Sequence, residues 1–212
     1  MKHAEVKALD NVSFSALEGE FVVIRGPSGS GKTTLLFCVG GMLNPTEGKV
    51  LADGQDIYAM SRQNRARFRG ERIGFVFQMF YLVPYLNLID NVLLPSGMGS
   101  EHYKREDAEK ILATLNLKER MYHRPFELSA GEKQRTAMAR ALLKHPRIIL
   151  ADEPTGNLDP ENSEELIRHL VMFRLRGGTV VVVTHGNEFD QHADHIYHLN
   201  KGQISKKKMP LV

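Results

Sequence analysis

One octapeptide constrains this chain more than any other feature. Gly26-Pro27-Ser28-Gly29-Ser30-Gly31-Lys32-Thr33 satisfies G-x-x-x-x-G-K-[ST]. It follows the apolar run Phe21-Val22-Val23-Ile24, which reads as a buried strand, and it opens a helical pattern from about Lys32. A glycine-rich loop between a strand and a helix commits the chain to an α/β sheet and to binding phosphate. Glycines let the backbone wrap closely, with N–H groups aimed at phosphate oxygens. The helix N-terminus adds positive potential. Lys32 brings an ammonium to the β- and γ-phosphates, and the Thr33 hydroxyl suits Mg²⁺, a hard ion that takes few protein ligands. The candidate nucleotide-binding residues are Gly26, Pro27, Ser28, Gly29, Ser30, Gly31, Lys32, Thr33 and Thr34.

The remaining pattern fits that commitment. Strand-like runs recur at Lys49–Ala52, Ile73–Phe77, Ile148–Ala151 and Thr179–Val183. His195–Leu199 and Gln203-Ile204 are expected to close the sheet through a turn at Lys201-Gly202. Between about Met79 and Leu143 the character changes. Helical patterns occupy Asn87–Leu94, Lys104–Leu115 and Glu132–Leu143, and strand signals are few. This stretch reads as a helical subdomain inserted into one domain that spans 1–212, because so long a crossover points to function.

Bulk properties narrow the partners. The net charge of +3 is too small to argue for nucleic acid. The basic run Lys206-Lys207-Lys208 reads as a solvated tail. No apolar run approaches the roughly 20 residues of a membrane span, and Met1–Glu5 lacks the apolar segment of a secretory signal. Any service to a membrane is therefore expected through partners. Cys38 is the single cysteine, so no internal disulfide forms, and its apolar neighbours place it in the core.

A second acidic site follows the run Ile148-Ile149-Leu150-Ala151, which ends in Asp152-Glu153. Ligands of open α/β sheets sit at the carboxyl ends of strands. Asp152 is therefore expected near the Mg²⁺ site, and Glu153 is placed to polarise an attacking water. The histidines at 192, 195 and 198 read as surface or edge residues, since His195 and His198 point to opposite faces of a strand.

Four further stretches carry a resemblance. Leu128-Ser129-Ala130-Gly131-Glu132 resembles the LSGGQ signature of the ABC (ATP-binding cassette) ATPases. Asn157-Leu158-Asp159 is similar to their D-loop, Thr184-His185 to their switch histidine, and Gln78 after Phe75-Val76-Phe77 to their Q-loop glutamine. With the phosphate loop and the acidic strand, six motifs in order span most of the chain. Glu132 and the run Ala151–Asp159 most resemble the bacterial lipoprotein-releasing and macrolide-efflux group. Ser129 with Glu132 also makes a capping box, and Asp159-Pro160 a helix start.

The resemblance implies a P-loop NTPase (RecA-like) core with an inserted helical subdomain and an antiparallel β portion near the N-terminus. It implies an ATP hydrolase that powers membrane partners, with ATP and Mg²⁺ as cofactors. A regulator of an envelope or cell-division complex is the alternative that the same motifs allow. Glu153, His185 and Gln78 take catalytic roles, and Thr33, Gln78 and Asp152 face the metal. Ser129, Ala130, Gly131 and Glu132 act in trans across a head-to-tail homodimer, with Asp159 in the D-loop. Permease subunits are expected to dock at Gln78 to Leu94, on the cytoplasmic face of the inner membrane. Ala130 stands where the signature has glycine, so its methyl is expected to weaken activity if the position needs φ > 0. The family's adenine-stacking aromatic would fall just before or at Met1, with His3 the nearest ring, which implies weaker and less adenine-selective binding. DNA-repair relatives carry long insertions absent from this sequence, and phosphate-loop kinases lack the signature and switch histidine.

Overall fold

The computed structural model describes residues 7–96 and 103–206. His3, Lys207 and Lys208 lie outside them, so the adenine-stacking and basic-tail expectations are not addressed. In chain order the elements are β1 (Phe21–Arg25), α1 (Lys32–Val39), β2 (Leu51–Ala52), β3 (Gln55–Asp56), α2 (Arg62–Arg72), β4 (Ile73–Phe77), α3 (Leu88–Leu93) and α4 (Arg105–Thr114). After these come α5 (Ala130–Leu142), β5 (Ile148–Asp152), α6 (Pro160–Leu175), β6 (Thr179–Thr184), β7 (His195–Asn200) and β8 (Gln203–Lys206).

Six strands form the main sheet in the order β4-β5-β6-β1-β7-β8, all parallel except the β7–β8 hairpin. Its central strands are continuous apolar runs because both faces are covered. Phe21–Ile24 and Val180–Val183 are buried throughout. One face carries α1, with Leu35 and Leu36 packed among Val22, Ile24, Leu150 and Val181. The opposite face packs Val23, Ile149 and Val182 with α3, α4, α5 and α6 into the larger core. Lys201 and Gly202 both adopt positive φ, as a two-residue hairpin turn matching strand twist requires.

Two sequence expectations change. The strand read at Lys49–Ala52 shortens to Leu51–Ala52 and pairs antiparallel with β3 in a separate two-stranded sheet. The second change is α2, an eleven-residue helix that hydrophobic periodicity does not signal, because it buries no residue. It starts at a Ser61 cap whose hydroxyl accepts the Asn64 N–H. The three helices read within 79–143 form, each within a residue or two of its expected ends. They pack on one another, and α5 also lies on β4.

Candidate functional site

The phosphate loop is held by what its glycines allow. A Cβ on Gly26 would lie 2.1 Å from the Leu199 carbonyl oxygen of β7, and one on Gly31 would lie 2.3 Å from that of Ala8. Gly31, at φ 102°, caps α1 with no side-chain bond, so the first N–H groups of α1 are available to an anion. The Gly202 N–H donates to the Ser30 carbonyl, bracing the loop on the β7–β8 hairpin. Lys32 is buried, and its ammonium donates to the carbonyls of Gly26 at 2.7 Å and Pro27 at 3.0 Å. Its charge is thus centred inside the loop.

β5 delivers the carboxylates. Asp152 is its last residue, and Thr33 donates its hydroxyl to Asp152 Oδ1 at 3.2 Å. Burial pushes the Asp152 carboxyl up, against the Thr33 hydrogen bond that lowers it. A cation beside these two hard oxygens would offset that burial, so the residues fit Mg²⁺. Among the described residues no cluster of three His, Cys, Asp or Glu could hold a metal alone. Such an ion would depend on phosphate oxygens and water.

Glu153 is the first residue past the strand and has φ 43°, an uncommon conformation for a non-glycine residue. Its N–H donates to the Val183 carbonyl, which anchors the turn on β6. The turn aims the carboxylate between two partners. Oε1 lies 3.4 Å from the Lys32 ammonium, and Oε2 lies 2.8 Å from His185 Nδ1 and accepts the His185 N–H at 3.2 Å. His185, one residue past β6, is largely exposed. The site therefore joins phosphate loop, carboxylate and imidazole at the carboxyl ends of β1, β5 and β6.

Gln78 follows β4, whose Phe77 is in register with Asp152. Its amide lies 3.5 Å from Asn157 Oδ1, and Asn157 donates back to the Gln78 carbonyl at 3.0 Å. The Q-loop and D-loop segments are thus tied together. Gly156 permits this, since a Cβ there would lie 2.7 Å from Gln78 Nε2.

Ser129, Ala130, Gly131 and Glu132 form the start of α5. The capping box is present: Ser129 Oγ accepts the Glu132 N–H at 3.2 Å, and Glu132 accepts the Ser129 N–H at 2.8 Å. Burial works against ionising Glu132, yet its bonds to Ser129 and Arg120 hold the carboxyl below its usual range. Ala130 is the first helical residue and is not at positive φ, so the expected backbone strain from its methyl does not arise. Gly131 cannot be substituted as freely, because a Cβ there would meet Asn162 Oδ1 at 1.8 Å. Asp159 caps α6 and accepts both the backbone and side-chain N–H groups of Asn162, which hold its carboxyl below the usual range. Asn162 Oδ1 in turn accepts from Arg135 at 2.9 Å, and Arg135 is paired with Glu165. This Arg135–Asn162–Asp159 link between signature and D-loop was not read from sequence. Arg135 and Asn162 lie 27 positions apart, so no local pattern announces it.

His195 and His198 stand on β7, with His195 Nε2 3.3 Å from Glu20. Gly186 carries no side chain where Glu188 packs. A Cβ there would meet the Glu188 carboxylate at 1.9 Å, and that carboxylate accepts the Thr155 hydroxyl.

Comparison with known proteins gives the same picture. The ABC transporter family matches over residues 9–156. The lipoprotein-releasing system ATP-binding protein LolD of Porphyromonas gingivalis is 43% identical over 204 residues, covering 94% of this chain and 92% of that protein. The macrolide export ATP-binding/permease protein MacB of Chlorobaculum tepidum is also 43% identical over 204 residues, covering 95% of this chain and 31% of its own length. The dimeric post-hydrolysis cassette MJ0796 bound to ADP and Pi superposes with TM-score 0.91 at 37% identity, covering 100% of this chain and 95% of that one. With a phosphate loop, a strand-end carboxylate pair and a signature helix in one fold, this chain is an ATP-binding and ATP-hydrolysing cassette and belongs to the ABC transporter family.

Proposed function

We propose that this chain is the motor subunit of a transporter of the lipoprotein-releasing or macrolide-efflux kind, acting as a homodimer on membrane partners. The observation that carries the reading is the placement of Glu153, between the Lys32 ammonium at 3.4 Å and His185 Nδ1 at 2.8 Å. A triphosphate seated in the loop competes for Lys32 and leaves Glu153 to orient and polarise water at the γ-phosphate. His185 holds that carboxylate and lies within reach of the same phosphate. Thr33, Asp152 and Gln78 would hold Mg²⁺, which neutralises phosphate charge when bound.

The second half of the pocket comes from another copy. Ser129 is exposed at the N-terminus of α5, where hydroxyl, backbone N–H groups and helix dipole suit a γ-phosphate presented by a partner. The segment 79–143 is the inserted helical subdomain that carries this helix. Gln78, tied to Asn157, links the nucleotide to the loop that follows it. That loop exposes Met79, Tyr81 and Tyr85, an apolar edge suited to a permease subunit. Docking on such a subunit would hold the chain peripherally, at the cytoplasmic face; among the described residues no helix is long and apolar enough to cross a membrane.

Glu153→Gln tests the reading. The variant is expected to bind ATP, to hydrolyse it at least ~100-fold more slowly, and to elute as a dimer with ATP by light scattering. Parental turnover together with a monomer at high concentration would refute both the base and the sandwich.

A further inference from the structure

Arg25 closes β1, one residue before the phosphate loop, and lies in register between Thr184 of β6 and His198 of β7. Its side chain is only 15% exposed. A guanidinium at such depth needs acceptors for its fixed donors. This one finds them on the segment that follows His185. Nε donates to the Gly186 carbonyl at 2.7 Å, and Nη2 lies 3.2 Å from Asp190 Oδ2.

The geometry of His185 depends on that segment. The ring is 68% exposed, so packing does little to orient it. It meets Glu153 through its backbone N–H and Nδ1, and both bonds require the chain to leave β6 in one direction. The next residue is glycine, the type with the widest backbone freedom. Gly186 is nevertheless fixed on both sides: its N–H donates to the Thr184 hydroxyl at 3.0 Å, and its carbonyl accepts from Arg25. Further along, Glu188 accepts the Thr155 hydroxyl at 2.7 Å, and the buried Phe189 stacks on Phe21. Asp190 Oδ1 is buried with no hydrogen-bond partner among the described residues. Without the guanidinium this carboxylate would be an unpaired charge, drawing the segment toward water.

We propose that Arg25 is a positioning residue for hydrolysis, whose guanidinium locks segment 186–190 onto the strand that carries the phosphate loop and so holds His185 against Glu153. The proposal rests on the reading that His185 and Glu153 act at the γ-phosphate. Arg25 touches neither residue's side chain in this arrangement; it acts through the Gly186 carbonyl and the Asp190 carboxylate.

The test compares the full chain with Arg25→Met, Arg25→Lys, His185→Ala and the double variant Arg25→Met with His185→Ala. Steady-state ATP turnover gives kcat and KM. The imidazole signals of His185 in NMR, assigned by their loss in His185→Ala, report its contact with Glu153. Arg25→Met is expected to lower kcat about 10–100-fold, with KM for ATP within about two-fold of the parent. Its His185 signals should move to those of a free, solvated histidine. Arg25→Lys keeps a charge facing Asp190 but not the paired donors, so its kcat should fall between the two. In the His185→Ala background, Arg25→Met should cost less than about two-fold further. Parental kcat and unmoved His185 signals in Arg25→Met would overturn the proposal. So would an equal loss in both backgrounds, or a loss of folded protein that accounts for the whole fall in turnover. Should Arg25→Met fail to fold, Arg25→Lys carries the same readouts, and parental values there count against the proposal. Parental kcat in His185→Ala would instead refute the underlying reading of the histidine, and the proposal with it.

Discussion

Replacing Gly131 by alanine adds one methyl to the signature helix where Asn162 lies against it. The new Cβ would fall 1.8 Å from Asn162 Oδ1 and 2.3 Å from its Cγ. Asn162 cannot simply rotate away, since its amide is bonded to Asp159 at 2.7 Å and to Arg135 at 2.9 Å. Displacing it breaks one neutral-donor and one guanidinium hydrogen bond, at about 1 and 1.5–3 kcal/mol. Alanine's better helix propensity returns at most about 1 kcal/mol. The net loss is about 1.5–4 kcal/mol, or roughly 3–16 °C in melting temperature for a domain of this size. Ala130→Gly is the control one residue earlier. There the methyl causes no strain, and its removal should give a loss of about 1 kcal/mol or less. Differential scanning fluorimetry measures both, and ATP turnover at saturating ATP should fall in Gly131→Ala because the shift passes through Asp159. A Gly131→Ala protein with unchanged melting temperature and turnover would refute the close-packing argument.

Asn91 is fully buried and bonds the Val83 N–H and the carbonyls of Val83, Leu86 and Asn87. Asn91→Leu should therefore cost about 3 kcal/mol in urea unfolding, and a loss below about 1 kcal/mol would show that the loop holds itself. Lys32→Ala removes the ammonium between loop and Glu153, and ATP affinity by fluorescent-nucleotide titration should fall roughly 10–100-fold; unchanged affinity contradicts the phosphate-loop assignment. Lys144 is lowered from 10.5 to about 8, chiefly by burial and then by Arg69 and Arg140. Between those values the unfolded chain binds more protons, so stability contributed by this group rises with pH. The stability of Lys144→Met minus that of the parent should accordingly drop by about 1–2 kcal/mol from pH 7 to 9.5; a flat difference would mean that Lys144 titrates normally.

Where sequence succeeded, the chemistry is local. Gly26 to Thr33 announces itself because the loop needs glycines and a lysine at fixed offsets, and Ser129 with Glu132 because a capping box is closed within four residues. The apolar runs of β1, β5 and β6 are equally legible, since strands covered on both faces leave no polar alternation to misread. The helix α2 was invisible for the complementary reason. It buries no residue, so hydrophobic period cannot mark it, and only the Ser61 cap and the Arg67–Glu71 spacing hint at it. Whether Ala130 needs positive φ is not legible in sequence, because φ at one position depends on where the helix begins, and here the helix begins on that residue.

The sequence by itself thus determined the fold class, the phosphate loop, the strand-end carboxylates and the order of the motifs, all of which follow from contacts between near neighbours in the chain. Tertiary structure alone decided that Glu153 turns to face both Lys32 and His185, that Asn162 joins Gly131 to Asp159, and that Arg140 and Lys144 line one groove with Phe37 and Phe77. Each of these depends on distance and orientation between segments far apart in the chain, and those are set only when the two faces of the sheet are packed.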